Sequence, residues 1–187
     1  MTRMRTVMLV VSIFCALAGA ASADQNNPRL ERLFNQLAAV RTAPDAAMIV
    51  AQIDALWEQS GSDTVDLLMA RAAAAVEAQD FDTAMQLLNV TAEMRPDFAE
   101  VWYRRAELLL QMDSPQEAAT DLAKTVRLEP RHFRAHALIG RLADVAGKRD
   151  AARAAYKRAL MINPMFEPAT KRAGELKAED RYRTPPI

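Results

Sequence analysis

Cysteine is nearly absent from this sequence, and glycine is scarce. The single cysteine, Cys15, lies in an apolar N-terminal segment, so the rest of the chain has no thiol for disulfide or redox chemistry. The five glycines form no loop of the kind that cradles phosphates, and no serine lies in the elbow motif of a hydrolase. These absences favour a protein that is not an enzyme and that carries no cofactor and no metal.

The sequence also lacks an excess of charge of either sign. It has 24 basic and 24 acidic residues, a formal net charge of zero. General nucleic-acid binders carry a clear basic excess, because lysine and arginine neutralise the phosphates. We therefore expect no nucleic-acid partner. Strand-like alternation of apolar and polar residues is missing as well, and good helix formers dominate, which predicts an all-α fold.

The first 23 residues have the composition of a secretory signal peptide. Arg3 and Arg5 precede an apolar run over residues 7–17, and Ala21-Ser22-Ala23 forms a cleavage site before Asp24. We therefore expect an exported, periplasmic protein with no membrane span after signal removal. The alternative is that the leader is retained, in which case the protein is an envelope-anchored accessory or assembly factor.

Three prolines, Pro96, Pro130 and Pro164, stand 34 residues apart, and other residue types recur at the same interval. A period between 20 and 50 residues is typical of stacked supersecondary units. The small and large residues of the pattern are expected to face each other where two antiparallel helices approach closely. The small positions are Ala72, Ala106 and Gly140, with Ala84, Ala118 and Ala152; the large ones are Leu88, Leu122 and Tyr156.

The pattern divides the mature chain into helix pairs joined by short turns. We predict repeats at 65–98, 99–132 and 133–166, followed by a capping helix at 167–179 and a flexible tail at 180–187. A helix pair at 24–62 follows the 34-residue frame only loosely, and we interpret it as a degenerate repeat or an N-terminal cap.

In this pattern the sequence resembles the tetratricopeptide repeat (TPR) family, whose 34-residue unit has tryptophan, glycine, alanine, aromatic and proline positions in a fixed order. Trp102 matches the tryptophan, Gly140 the glycine, Tyr156 the aromatic residue and the three prolines the last position. Arg71 and Arg105 depart from the leucine that the family prefers. The resemblance implies a right-handed α-solenoid of antiparallel helix pairs, the TPR superhelix.

The resemblance also implies a function as a scaffold or adaptor that binds another protein or a peptide in the groove lined by the first helix of each repeat. The chaperone-binding members hold a carboxylate with lysine and asparagine where this sequence has methionine and alanine, so that mode is not expected. From the first repeat to the third, the groove changes from acidic and apolar to basic. This order favours a bound segment whose charges are opposite to those of the groove at each end. Self-association of the protein through the ends of the solenoid is a further possible interaction. The groove positions are Asp66, Met69, Ala73 and Glu77, then Glu100, Tyr103, Glu107 and Leu110, then Arg134, Arg141 and Asp144.

A less favoured interpretation is a metal-dependent factor that uses His132 and His136. Residues four apart on a helix share one face, which places two imidazoles where a metal binds. However, His132 is predicted in the turn after Pro130. His136 occupies the position that Trp102 holds one repeat earlier, where packing determines the residue type. We therefore expect a structural role for both.

Overall fold

The computed structural model describes the backbone of residues 27–183 and the side chains of residues 27–179. Within that part the chain forms nine α-helices and no strand, which confirms the predicted all-α fold. The predicted signal peptide at 1–23, its cleavage site and residues 184–187 of the predicted tail lie outside the described residues. The helices are α1 (Pro28–Ala39), α2 (Ala43–Trp57), α3 (Asp63–Glu77), α4 (Phe81–Met94), α5 (Ala99–Gln111), α6 (Pro115–Leu128), α7 (Phe133–Val145), α8 (Arg149–Ile162) and α9 (Glu167–Arg183).

A residue in the left-handed conformation follows the first helix of each repeat, two positions after its last residue. Gln79, Asp113 and Gly147 have φ angles of 60°, 56° and 71°, and they stand 34 residues apart. The N–H of the following residue donates to a carbonyl five residues earlier, as from Lys148 to Ala143 at 2.8 Å. This Schellman arrangement satisfies a terminal carbonyl and reverses the chain. Only at Gly147 does the residue type adopt that φ without a steric cost.

The two helices of a repeat approach closely where a small residue faces a large one, as the sequence predicts. The ring of Tyr156 in α8 lies over Gly140 in α7, and a Cβ added to Gly140 would come within 2.9 Å of two ring carbons. In the first two repeats an alanine and a leucine occupy these positions within one core cluster, Ala72 with Leu88 and Ala106 with Leu122.

Helices α1 and α2 form the N-terminal hairpin, whose course differs from the predicted degenerate repeat or cap at the start of the stack. The core cluster of the first repeat contains no residue of the hairpin. Instead the apolar stripe of the hairpin is buried in one cluster with α7, α8 and α9, so the hairpin folds back over the third repeat. The hairpin side of that cluster consists of Leu30, Leu33, Phe34, Leu37, Ala46, Ile53, Leu56 and Trp57.

The link between α2 and α3 fixes the direction in which the hairpin leaves the stack. Ser60 is fully buried, its hydroxyl donates to Asp66 Oδ1 at 2.6 Å, and its carbonyl accepts from Arg95 Nη1 at 2.7 Å. Because Arg95 lies at the end of α4, this bond ties the link to the first repeat at a defined angle.

Helix α9 covers the end of the third repeat. Its residues Ala169 and Leu176 are fully buried in the cluster with α8. The helix extends to Arg183, so residues 180–183 are helical and not part of a tail, since no glycine or proline lies between Gly174 and Pro185. None of the helices in the described part is long and apolar enough to cross a bilayer.

We expect Gly140→Ala to lower the free energy of unfolding by about 1–3 kcal/mol, because the added methyl group overpacks the contact with Tyr156. Combining it with Tyr156→Leu recreates the alanine–leucine pair of the first two repeats and should recover part of the loss. Urea unfolding of both single variants and the double variant measures this coupling. An unchanged or raised stability of Gly140→Ala alone would show that the close approach imposes no constraint.

Glutamine and glycine can be exchanged between two of the three left-handed turn positions, 79 and 147. We expect Gln79→Gly to raise the free energy of unfolding and Gly147→Gln to lower it, each by about 1 kcal/mol, because the left-handed conformation brings Cβ close to the following carbonyl. Thermal unfolding followed by circular dichroism measures both variants. A shift of the same sign in both would contradict the assignment.

Candidate functional site

The N-terminal hairpin is attached to the inner face of the repeats, the surface formed by α3, α5 and α7, through contacting aromatic rings. The indole of Trp57 lies parallel to the imidazole of His132, with ring centres 4.3 Å apart and an interplanar angle of 2°. The ring of Tyr103 also contacts His132, with centres 4.4 Å apart. All three side chains are buried, so this ring cluster joins α2 to α5 and α7.

Two arginines near the start of α7, Arg131 just before the helix and Arg134 within it, add polar contacts to the hairpin. Arg134 at the start of α7 forms an ion pair with Asp54 of α2. The guanidinium of Arg131 lies over the ring of Phe34 in α1, 4.6 Å from its centre, in cation–π geometry. The N-terminal part of α7 on the inner face is therefore covered by the chain itself.

Arg104 of α5 links this covered part to the open part of the inner face. It forms ion pairs with Glu100 at 2.8 Å, Glu107 at 3.3 Å and, more distantly, Glu58 at the end of α2 at 3.5 Å. The hydroxyl of Tyr103 donates to Glu107 at 2.7 Å. Burial, together with the charge of Glu107, raises the pKa of Tyr103 far above its usual value, so the phenol stays protonated and keeps donating.

Beyond Arg104 the inner face is open and contains a cavity of about 680 Å³ between the first and second repeats, which we call the first cavity. This volume falls within the range of ligand pockets, about 300–1,000 Å³. Its floor is apolar and consists of Met69, Ala70, Ala72, Ala73, Val76, Leu88 and Leu108. Its rim carries Glu58, Asp66, Glu77, Arg104, Glu107 and Gln111.

A second cavity, of about 380 Å³, lies next to the first on the side of the third repeat. It shares Glu107 and Gln111 with the first cavity and adds Leu110, Leu138 and Arg141. The open groove, by which we mean the two cavities together, therefore runs from α3 across α5 to the middle of α7.

Seven of the predicted groove residues line this open groove. Five of them lie at the first cavity, and Glu107 is common to both cavities. They are Asp66, Met69, Ala73, Glu77 and Glu107 at the first cavity and Leu110 and Arg141 at the second.

The other four predicted positions do not line an open surface. Glu100 and Tyr103 are only 3% exposed, because the hairpin and His132 cover them. Arg134 is paired with Asp54, as described above, and Asp144 accepts a hydrogen bond from Arg172 of α9 at 3.0 Å. That bond lowers the pKa of Asp144, so the carboxylate stays charged and bound to α9. The sequence placed these residues on the correct helices, but it could not show that α2 and α9 would cover them.

Sequence reasoning overlooked Arg104, Glu58 and Leu138. A signal for Arg104 is present, since glutamates stand four residues before it and three after it on the same helical face. No signal marks Glu58, which reaches the groove only because the hairpin folds back.

Both nitrogens of His132 are engaged in the fold. Its Nδ1 accepts from the N–H of Ala135 at 3.2 Å, which places the proton on Nε2, and Nε2 donates to Glu100 at 3.3 Å. This histidine therefore begins α7 as its N-cap and supports the attached hairpin.

His136 repeats an interaction made one repeat earlier by Trp102. Its Nε2 donates to the carbonyl of Pro130 at 2.9 Å, as Trp102 Nε1 does to Pro96 at 3.2 Å. Burial lowers the pKa of His136, which keeps the ring neutral. Residues 27–179 contain no group of three or more histidine, cysteine, aspartate or glutamate side chains arranged to hold a metal ion. The geometry of both histidines is that of packing residues.

Comparisons with known proteins agree with the repeat architecture. Models of the tetratricopeptide repeat match residues 75–142 and 133–164. A TPR repeat-containing protein of Rhizobium etli is 32% identical over 148 residues, which span 79% of this chain and 72% of the relative.

Solved structures with the same fold share little sequence with this chain. The first TPR domain of Spaghetti (RPAP3), bound to an HSP90 peptide, superposes with a TM-score of 0.58 at 17% identity, over 62% of this chain and 91% of that domain. The MamA protein gives a TM-score of 0.57 at 20% identity, over 63% of this chain and 64% of MamA. At such identities the likeness extends to the fold alone.

The attachment of the hairpin depends most on Trp57. We expect Trp57→Ala to lower the free energy of unfolding by about 3–5 kcal/mol, because it removes a large buried side chain and its contacts with the rings of Phe34, His132 and Phe133. Trp102→Ala is the matched control and should cost less, since Trp102 is partly exposed. Guanidinium unfolding followed by circular dichroism measures both variants. An equal or smaller cost at Trp57 would contradict the hairpin's attachment.

Proposed function

This chain belongs to the tetratricopeptide repeat family, and from this membership we propose that it is a non-enzymatic adaptor that binds a segment of another protein in the open groove. The TPR fold itself supports a role in protein–protein interaction. The TPR domain of Spaghetti, which has the same fold, is bound to an HSP90 peptide, so this fold can hold a peptide.

The observation that carries the proposal is the uncovered first cavity. The hairpin covers the inner face at the start of α7 and α9 covers the end of the third repeat, whereas the face between α3 and α5 remains open and has an apolar floor. Apolar concave surfaces with a few polar groups at the rim are the usual setting of binding sites. The partner segment is therefore expected at the first two repeats, with its end reaching Arg141.

The variant that tests the groove is Ala73→Arg. Ala73 is exposed on α3, so a long charged side chain there fills the first cavity without disturbing the core. Ala123→Arg introduces the same side chain at an exposed alanine of α6 that lines neither cavity, and it serves as the matched control. Tyr103 is unsuitable as a probe because it is buried.

The measurement is affinity capture from the envelope fraction of the source cells, followed by identification of bound proteins. We expect Ala73→Arg to lose the partner retained by the wild type and by Ala123→Arg, while circular dichroism stays unchanged in all three. Retention of the same partner by Ala73→Arg would rule out the open groove as its binding site.

We also propose that the protein is exported. The basis is the sequence of the leader, with Arg3 and Arg5 before an apolar run and a small-residue motif before Asp24. N-terminal sequencing of the protein from the periplasmic fraction is expected to read from Asp24. A protein that keeps residue 1 and sediments with the membrane would favour the anchored alternative.

A further inference from the structure

The rim of the first cavity carries an uneven set of charges. Four carboxylates, those of Glu58, Asp66, Glu77 and Glu107, face one guanidinium, that of Arg104. Among the residues that the structure describes, no other lysine or arginine lines the cavity. A ligand in this cavity therefore meets a negative potential, which the low-dielectric apolar floor strengthens.

The single cation cannot balance this charge, because it is already shared. Arg104 pairs with three carboxylates, including Glu100, which lies behind the cavity wall and is buried. Glu77 at the end of α3 is exposed and has no ion pair or hydrogen bond among the described residues. The charge of Glu77 is therefore free to interact with an incoming ligand.

The second cavity carries one carboxylate and one guanidinium, those of Glu107 and Arg141, and Glu107 already pairs with Arg104 and Tyr103. Arg141 is exposed on α7, and its guanidinium has no ion-pair partner within residues 27–179. Leu110 and Leu138 form the apolar part of this smaller cavity. Since the hairpin has paired Arg134 with Asp54, Arg141 is the cation that remains for a ligand at this end of the open groove among the described side chains.

We propose that the ligand of the open groove is a peptide segment with a large apolar side chain next to lysine or arginine, and with an acidic residue on the side of the third repeat. The apolar side chain occupies the floor between Met69 and Leu108, the cation meets Glu77, and the carboxylate meets Arg141. This inference rests on the proposed function and adds to it the chemistry and the direction of the bound segment. An acidic segment without cations is repelled at the first cavity, since only Arg104 would receive it there.

Three synthetic peptides of twelve residues, each labelled with fluorescein, test the proposal against the full chain by fluorescence anisotropy. The first has a central leucine flanked by two lysines, with a glutamate four residues further on. The second exchanges every lysine for glutamate and the glutamate for lysine. The third replaces the leucine by serine. At low salt we expect the first peptide to bind at least about tenfold more tightly than either of the others. The preference over the charge-inverted peptide should shrink as salt rises, whereas the preference over the serine peptide, which is apolar in origin, should not.

Variants with exchanged charges show which residues cause the preference for the first peptide. Glu77→Lys should reduce or invert the preference for the first peptide over the charge-inverted one, and Arg141→Glu should weaken the first peptide. Glu93→Lys, on the exposed side of α4 and outside both cavities, is the control and should leave the preference unchanged.

The proposal is overturned if the charge-inverted peptide binds as tightly as the first, if no peptide binds, or if Glu77→Lys changes the preference no more than Glu93→Lys. In each of these cases the capture experiment with Ala73→Arg still stands by itself. Loss of the partner there, combined with failure here, would retain the groove as a binding site and reject only the chemistry assigned to its ligand.

Discussion

The contact between Trp57 and His132 is the interaction on which the arrangement of this molecule depends. It turns the N-terminal hairpin away from the first repeat and holds it on the third, and it thereby decides which part of the inner face is left for a partner. Apolar packing must carry much of the attachment, because beside the ion pair of Arg134 with Asp54 the atoms Trp57 Nε1 and Asp54 Oδ1 are buried without a hydrogen-bond partner among the described residues. Such atoms cost about 1–3 kcal/mol each, so the burial of Leu30, Leu37 and Ile53 must offset them.

The covered and open parts of the inner face are not independent. Arg104 contacts Glu58 of the hairpin and lines the first cavity, and Glu107 receives both Arg104 and the hydroxyl of Tyr103. The position of the hairpin therefore sets the charge and the shape at one wall of the cavity. The hairpin covers a part of the inner face that a ligand could otherwise reach. It also contributes Glu58 to the lining of the first cavity.

Most of the fold could be predicted from the sequence, because in a repeat protein each helix pair packs against the pairs that precede and follow it in the chain. The interval of 34 residues located the helix pairs, and the pairing of Gly140 with Tyr156 followed from the small and large positions. The course of the hairpin could not be predicted. An amphipathic stripe shows which residues become buried but not against what, so the stripe of α1 does not indicate which repeat it covers. The same limit explains why four covered residues were predicted to line the groove, since the helices that cover them are distant in the sequence. They are Glu100, Tyr103, Arg134 and Asp144.

Nuclear Overhauser effects of the Trp57 indole in solution test the central claim most directly. If the hairpin lies on the third repeat, the indole protons show effects to the imidazole protons of His132 and to the ring of Phe133, whose centre lies 5.8 Å from that of Trp57. If the hairpin instead stacks before α3 as a first repeat, those effects are missing and the indole contacts methyl groups of the first repeat, such as those of Leu68 and Leu87. The first result is the one that this structure predicts, and the second would contradict it.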